Sequence, residues 1–505
     1  MLNLGIDLGT TFSLVSHVNQ QGLPTLFPDS LNANEFRTSS LVTVGERSAL
    51  IGRVVDDLLH ENPLLPHSRF FKLHLGNRDF SYLDEAGRRW SAIGLSALVL
   101  KKLLRDVEAF ASEEIASAVI TVPANFTDRQ RKSTKLAAKL AGLDVVQLIE
   151  EPVAAATFYG LGEKGNDRRI FVYDFGGGTF DATILHNESD GLHTVSTDGD
   201  ATLGGKVIDE KLIELAATAY RMQHGVDIQA DPAANVILRE FAEETKIKFS
   251  SPAPAHVRRT LFVAGRPLDA LVTRAQFEAI VKPVIDATFV ASERCLAQAN
   301  LSWKDLSNFF LVGGSALQPL VAKTLAARAG RHVDQLVTKQ PHQAVAFGAA
   351  LIGQQLFSAA AEERRQFFPA APYTLGIRVR DPVSGRSDIQ PMIKRNTPVP
   401  ASVSTTFYTA RVDQARIIID VVQAGADGEI AQSLGYFAFG PIEKPRKNYP
   451  IEIQLSYDAE GMVTVRAKDP QTGKSLSQIM NNEEDIDLTQ YAREKDWISE
   501  LRIND

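Results

Sequence analysis

The chain opens on an apolar run, Leu2 to Ile6, and from there to about residue 357 short apolar stretches alternate with segments whose apolar positions recur at helical spacing. Short continuous apolar runs fit strands covered on both faces, and the longer periodic segments fit helices packed against them. The pattern predicts strands at Leu2–Ile6, Ser117–Val122 and Ile170–Tyr173, and helices at Asp128–Ala141, Asp209–His224 and Ala275–Ala299. In DRQRKSTKLAAKLA, Thr127 or Asp128 stands where an N-cap oxygen is needed, and Gly142 where a left-handed residue ends a helix. This alternation is that of a mixed α/β domain.

After Ser358 the character changes. SAAAEERRQFF and PAAP read as a linker, and beyond them ARIIIDVVQ, SLGYFAF, IEIQLSY and MVTVRAK are separated by Gly, Pro, Asp and Asn with almost no helical period. That is the pattern of an all-β module. The expected organisation is an α/β domain over residues 1–357, a linker over 358–372, an all-β domain over 373–482, and a short acidic, helical tail over 483–505, in which LTQYAREKDWISELRI is amphipathic.

The 505 residues carry 61 acidic against 54 basic side chains, a formal charge of -7. At roughly 150 residues per domain, the length allows about two to four domains. Both signs are interspersed, so nothing electrostatic favours nucleic acid or an anionic membrane as partner. The N-terminus lacks the basic and apolar regions of a signal peptide, and the apolar stretch near Ala344–Gly353 is about half a bilayer span, so a cytoplasmic protein is expected. The single cysteine, Cys295, excludes an internal disulfide and a cysteine-rich zinc site, and its helical setting fits a packed thiol.

One device occurs twice. GIDLGTT (Gly5–Thr11) and YDFGGGTFD (Tyr173–Asp181) each end an apolar strand on an aspartate, then turn through glycines and a threonine into a return strand. Glycines let backbone N–H groups reach a phosphate, because no Cβ holds the ligand off. The aspartate can hold a hydrated cation or orient water. Either stretch alone could be an ordinary hairpin; the pair indicates two similar lobes, each offering a turn to phosphate. No GxxxxGK[ST] occurs, and the GxGxxG at Gly160, Gly162 and Gly165 follows a helix and precedes a strand, the reverse of dinucleotide-binding order. Ten histidines without HExxH or cysteine partners make no metal cage, so any metal is expected with the phosphates, as Mg²⁺.

These stretches also carry a resemblance. GIDLGTTFS, AVITVPANFTDRQRKSTKLAAKLAGL, EEPVAAATFYG, YDFGGGTFDATIL, GDATLGGKVID, EETKIKFSS, FFLVGGSALQPLV and QAVAFGAAL, followed by YTLGI, IKRNTPVP and SLGYFAF, resemble in order the seventy-kilodalton heat-shock chaperones of the DnaK type. The unusual C-terminus is similar to divergent, HscC-like bacterial members. The resemblance implies an α/β actin-like ATPase of two lobes followed by an all-β sandwich that binds exposed hydrophobic peptides. ATP/ADP, Mg²⁺ and K⁺ are its implied cofactors, and a J-domain co-chaperone and a nucleotide exchange factor its implied partners.

Residue by residue, the resemblance places Gly9, Thr10 and Thr11 on one side of the β- and γ-phosphates, and Gly176, Gly177, Gly178 and Thr179 on the other. Asp7, Asp174 and Asp181 would surround hydrated Mg²⁺ and the attacking water, with Asp7 and Asp174 as ligands through water. Lys72 would stabilise charge on the γ-phosphate, Glu151 would sense the phosphate side, and Pro123 and Arg131 would relay that state to the surface. Gly204 and Gly205 form a third glycine turn. Glu243, Lys246 and Ser250 share a helix face toward adenosine, opposite Gly313, Gly314 and Ser315. Ile377, Phe407, Ile417 and Ile419 would line the peptide cleft, with Ile418 packed behind, and Tyr408 and Arg380 near its arch.

The departures matter too. Leu317 and Ile247 stand where many members place arginines that sandwich adenine, and a lost cation stack is worth about 0.5–2 kcal/mol. His342 replaces an aspartate, and Gln147 and Glu150 replace a basic residue and an asparagine associated with J-domain docking. The linker EERRQFFPA is charged where the family's is leucine-rich, which argues against its insertion as a strand. The helical lid is expected to be missing. The leading expectation is a slow ATPase whose hydrolysis modulates peptide affinity. The alternatives are a nucleotide sensor holding one dedicated partner and, far behind, a small-molecule kinase on the same fold.

Overall fold

A computed structural model describes residues 2–160, 167–358, 366–380, 387–425, 430–480 and 487–504. Gly162, Gly165 and the charged run Glu362–Arg365 lie outside these residues, as does the side chain of Arg380. The helices among them are α1 (Arg53–Glu61), α2 (Ala92–Phe110), α3 (Asp128–Ala141), α4 (Glu151–Phe158), α5 (Gly205–His224), α6 (Pro232–Phe249), α7 (Arg274–Gln298), α8 (Pro319–Ala329), α9 (Ala344–Ser358) and α10 (Leu488–Glu500). None of the described helices is long and apolar enough to cross a membrane. The expected N-cap of α3 is Thr127, in a capping box with Gln130, and Gly142 ends the helix at φ 101°.

Two sheets form the halves of the first part, which we term lobe I and lobe II. In lobe I the order is Val146–Glu150, Ile115–Val122, Leu2–Asp7, Phe12–Val18, Pro24–Leu26. In lobe II it is Asn308–Val312, Arg168–Phe175, Phe180–Asn187, Gly191–Asp200, Gln366–Phe368. In each, the aspartate-ended strand is parallel to one neighbour and forms a hairpin with the other. Strands buried on both faces explain the continuous apolar runs.

Between the sheets, α9 crosses strand Leu2–Asp7 and α4 at backbone contact. A Cβ on Gly348 would lie 1.7 Å from the Ala154 carbonyl oxygen, and one on Gly5 would lie 2.1 Å from the Ala350 nitrogen. The small residues of α4 and α9 are what lets the lobes approach.

The β module is a sandwich of two four-stranded sheets. One runs Ser387–Ile393, Thr374–Arg380, Ile417–Ala424, Ile430–Phe439, and the other Ala401–Tyr408, Pro450–Tyr457, Val463–Lys468, Ser475–Ile479. Pro450–Tyr457 alternates buried and half-buried positions along its whole length, the period-two pattern of a strand with one face on a core. That core includes Leu375, Ile377, Val421, Phe437, Leu455 and Val465.

The linker departs from expectation. Gln366–Phe368 adds as a parallel strand to Gly191–His193, and the Phe368 ring stacks on His193 with centroids 4.2 Å apart. Strand addition is made by backbone groups, so three residues, a glutamine and two phenylalanines, suffice to occupy the edge. The β module then rests on α3: Asp128 Oδ1 accepts from Val463 N–H at 3.1 Å, Arg131 donates to the Glu460 carbonyl at 3.4 Å, and Lys135 pairs with the Glu460 carboxylate. On lobe II, Asn396 reaches Ser196 and Thr197, and Arg395 donates to the Thr197 carbonyl at 2.7 Å.

Gly348→Ala is expected to force α9 off α4 and to cost about 1–3 kcal/mol of stability by overpacking, read as a lower urea midpoint at unchanged m-value.

Candidate active site

The two aspartate-ended strands deliver Asp7 and Asp174 to the cleft between the lobes, and the two glycine turns meet across it. A Cβ on Gly177 would lie 2.0 Å from Thr11 Oγ1, and one on Gly178 2.5 Å from Thr10 Cγ2. A side chain at either of these glycines of the second turn would therefore displace a threonine of the first. The second turn closes on itself through Gly176 N–H donating to the Thr179 carbonyl at 3.1 Å. Gly9 belongs to the first turn, where its own N–H donates to Ser13 Oγ at 3.2 Å.

The third glycine pair starts a helix. Gly204 is the N-cap of α5, Gly205 N–H donates to the Gly176 carbonyl at 3.0 Å, and Lys206 N–H to the Gly177 carbonyl at 2.8 Å. The positive end of α5 is thereby fixed against the second turn. Ser315 Oγ donates to the same Gly176 carbonyl at 2.8 Å, and Gly313, at φ 82°, has room only for hydrogen because a Cβ would lie 2.5 Å from the Phe175 carbonyl oxygen.

Lys72 reaches the cleft from a 3₁₀ turn, Phe71–His74, set by Phe70 in the left-handed region at φ 60°. Such a conformation is costly for an aromatic residue and persists only where its surroundings impose it. Lys72 Nζ donates to Glu151 Oε1 at 2.8 Å, both side chains being buried. Glu151 is the first residue of α4 and follows directly from strand Val146–Glu150.

One lysine faces four carboxyl groups. Burial first, then the Glu151 carboxylate, pushes Asp7 up to about 7 against the opposing effect of Lys72. Asp174 is raised by burial and then by Glu151, Asp181 and Asp7, and Asp181 by burial and then Glu151. Asp181 Oδ1 is buried without a hydrogen-bond partner. A site with this surplus of buried acid and an open glycine cradle fits a divalent cation carried in with phosphate.

The predicted adenosine side is also brought together. Lys246 Nζ sits 2.5 Å from Asp209 Oδ2 and 3.5 Å from the Gly205 carbonyl, and a Cβ on Gly205 would lie 2.7 Å from Ser315 Oγ. Glu243 lies on the same helix, within electrostatic reach of the Arg69–Asp56 pair near α1. A Cβ on Gly314 would lie 2.7 Å from His342 Cε1, so that histidine packs directly against the turn. Burial, then Arg37, keeps His342 below the ordinary histidine range. Ile247 is exposed, as is expected of a position with no partner.

Two residues here escaped sequence reasoning. Gln318, 1% exposed, donates to Ser250 Oγ at 3.0 Å and to the Lys246 carbonyl at 3.1 Å, tying both to the Gly313–Ser315 turn. Asp209 lies one helical turn after Gly205 in α5, and that i,i+4 spacing from a predicted glycine was its available signal.

Arg131 joins the site to the β module. It donates to Glu150 Oε1 at 3.2 Å and to the Ala124 carbonyl at 3.3 Å while also holding the Glu460 carbonyl. Pro123 is buried at the start of this bend, where its carbonyl accepts from Phe126 N–H at 3.1 Å. Glu150, which stands where the resemblance expects asparagine, is thus a buried partner of Arg131.

In the sandwich, Ile377 and Ile419 lie in the core, Phe407 and Ile417 pack partly buried against it, and Tyr408 is exposed. Ile418 does not pack behind them; it is 71% exposed on the outer face, because strand alternation sends it opposite to the core-facing Ile419.

The family model described as Hsp70 protein matches residues 50–496. The chain belongs to the Hsp70 family. Members of this family are ATP-binding chaperones that pair an actin-like ATPase with a β-sandwich, bind ATP or ADP with Mg²⁺, and act on unfolded peptides with co-chaperones. The Hsp70 match runs through both lobes and the sandwich, and the surplus of acid around the glycine cradle is of the kind that Mg²⁺ with a nucleotide would satisfy.

Lys72→Met removes the one ammonium among these carboxyl groups and is expected to destabilise the nucleotide-free protein by about 3–5 kcal/mol, the usual cost of orphaning a buried charge. Glu151→Gln in the same background is expected to recover part of that loss, as a urea double-mutant cycle will show.

Proposed function

We propose that this Hsp70-family chain is an ATP-driven peptide-binding chaperone in which hydrolysis between the lobes modulates the affinity of the sandwich for extended hydrophobic segments. The observation that carries the reading is the facing of the two glycine turns above the Lys72–Glu151 pair, with α3 touching both that site and the β module.

In this reading the N–H groups of Gly9, Thr10 and Thr11 and of Gly176, Gly177, Gly178 and Thr179 hold the β- and γ-phosphates from two sides, while the α5 N-terminus at Gly204 and Gly205 adds its dipole. Asp7 and Asp174 hold waters of the metal ion. Mg²⁺, when bound, neutralises charge on the phosphates. Asp181, with its free Oδ1, orients the attacking water. Water oxygen bonds to the γ-phosphorus, the bond from phosphorus to the bridging oxygen breaks, and ADP, phosphate and a proton leave. Lys72 offsets charge on the transferring group, and Glu151 sets the position of Lys72. Glu243, Lys246, Ser250, Gly313, Gly314 and Ser315 hold adenosine, with Gln318 fixing Ser250.

The β module takes peptide between Phe407 and Ile417 over a floor made by Ile377 and Ile419, with Tyr408 at the mouth. Backbone hydrogen bonds give affinity, and the apolar pocket gives preference for aliphatic or aromatic side chains. Pro123 and Arg131 transmit the state of the site, since Arg131 holds Glu150 and the β module at once. The buried free thiol of Cys295 suits a reducing, cytoplasmic setting. A J-domain partner and an exchange factor belong to this reading, with the partly exposed Gln147 pointing to a specialised J-domain.

In single-turnover hydrolysis, Lys72→Ala and Thr179→Ala are each expected to slow ATP cleavage by about 10²–10³, the usual cost of losing one preorganised charge-stabilising group. Unchanged rates in both would overturn the assignment. Titrating a panel of extended hydrophobic peptides with ADP and with ATP tests the second half. Weaker binding with ATP is expected, whereas no binding to any of them would favour a nucleotide sensor with one dedicated partner.

A further inference from the structure

The C-terminal segment does not hang free of the ATPase; it is built into lobe I. Glu494, 1% exposed, enters the first turn of α2: Oε1 accepts from Ser91 N–H at 2.5 Å and Oε2 from Ser91 Oγ at 2.9 Å. Gly94 makes the space, since a Cβ there would lie 2.6 Å from the Glu494 carboxyl carbon. Farther along α2, Lys101 donates to the Ile498 carbonyl at 2.7 Å and Arg105 to the Ile503 carbonyl. Trp497 packs on Trp90 with centroids 5.2 Å apart, and the Arg88 guanidinium lies 5.8 Å and 5.9 Å from the two rings. Arg88 and Trp90 Nε1 are themselves held by Asp84, at 2.7 Å and 2.9 Å.

The chain then changes form. Arg502–Ile503 adds as a parallel strand to Ser48–Ile51, and Asn504 brackets Ile51, accepting from its N–H at 2.6 Å and donating to its carbonyl at 2.9 Å. Ile498, Leu501 and Ile503 are buried in the lobe I core. Helix capping by an acid, an aromatic seat with a cation, and strand addition are three separate modes of recognition, and all are satisfied by one short segment.

We propose that lobe I carries a second peptide-recognition groove, distinct from the sandwich cleft, whose ligand is a helix-then-strand segment with a buried acid and a tryptophan, and which this chain fills with its own residues 487–504 whichever nucleotide is bound. Each partner named above lies in lobe I alone, so movement of the lobes about the nucleotide does not strain the seat. The tail is then a strap on the β module, not a cover for its cleft. From Met480 to Asp487 the backbone spans at most about 25 Å, so a seated tail keeps the end of the sandwich within that radius of Asp487 after its other contacts with lobe I are lost.

The test uses the full chain with a protease site inserted within residues 481–486 and cut after folding. The fragment that begins after the cut is expected to co-elute with the body at one to one and to leave at the same rate, within twofold, in ADP and in ATP. Trp497→Ala and Glu494→Lys in the tail, and Gly94→Ala in the groove, are each expected to speed its loss at least tenfold. Should one tail variant not fold, Gly94→Ala supplies the readout from the receptor side. Release of the fragment on cutting, or a tenfold difference between nucleotides, would overturn the proposal. The strap is read separately, by spin labels at the exposed Leu476→Cys and Leu83→Cys, with Cys295 buried and unreactive. In ADP the distance distribution is expected to widen only after cutting, and identical distributions before and after would overturn the strap. The nucleotide arm rests on the proposed ATP binding, whereas fragment retention does not: retention with no nucleotide response in any measurement would sink the chaperone reading and leave the groove standing.

Discussion

Four buried carboxyl groups around one ammonium set the terms for this molecule. Held alone, Asp7, Glu151, Asp174 and Asp181 repel one another in a medium too poor in water to screen them, and Lys72 answers for one. The arrangement makes sense only for a site that receives positive charge from outside. It also explains the glycines. Two turns built on glycine bring backbone donors to a ligand that carries its cation with it, and the small residues of α4 and α9 bring the lobes close enough for both turns to act on one group.

The same α3 that begins near this site also carries the β module. Arg131 is the narrow point of that connection, because Glu150 on one side and the Glu460 carbonyl on the other share one guanidinium. A neutral residue at position 150 would leave Arg131 leaning on carbonyls alone; a buried glutamate makes its position depend on strand Val146–Glu150, whose next residue is Glu151. The departure from the family pattern at this position therefore lies between the two domains and not at their surface.

Much of this was legible in the sequence where local chemistry decides local structure. The bounds of α3 followed from Thr127 and Gly142, and the duplicated hairpins followed from two matching strings. What was not legible depended on distant partners. Gln366–Phe368 sits behind a charged run, and only the free edge of Gly191–His193, far away in the chain, turns it into a strand. Gln318 looked like an ordinary polar residue before a proline, and its role comes from Ser250 and Lys246 on another helix. The amphipathic tail was visible, but its apolar face could not announce that Trp90 and a space at Gly94 awaited it. Ile418 misled because three consecutive isoleucines hide the phase of alternation.

Docking of Gln366–Phe368 also changes the chemistry of the surface it covers. Gly191–His193 forms the outer strand of the lobe II sheet, and the linker is what satisfies its outward N–H and carbonyl groups. Whenever those three residues detach, the sheet gains a bare margin of unpaired donors and acceptors, to which any extended chain can add regardless of its side chains. The interdomain connection is therefore also a plug, and its release exposes a sequence-blind sticky border on the ATPase itself.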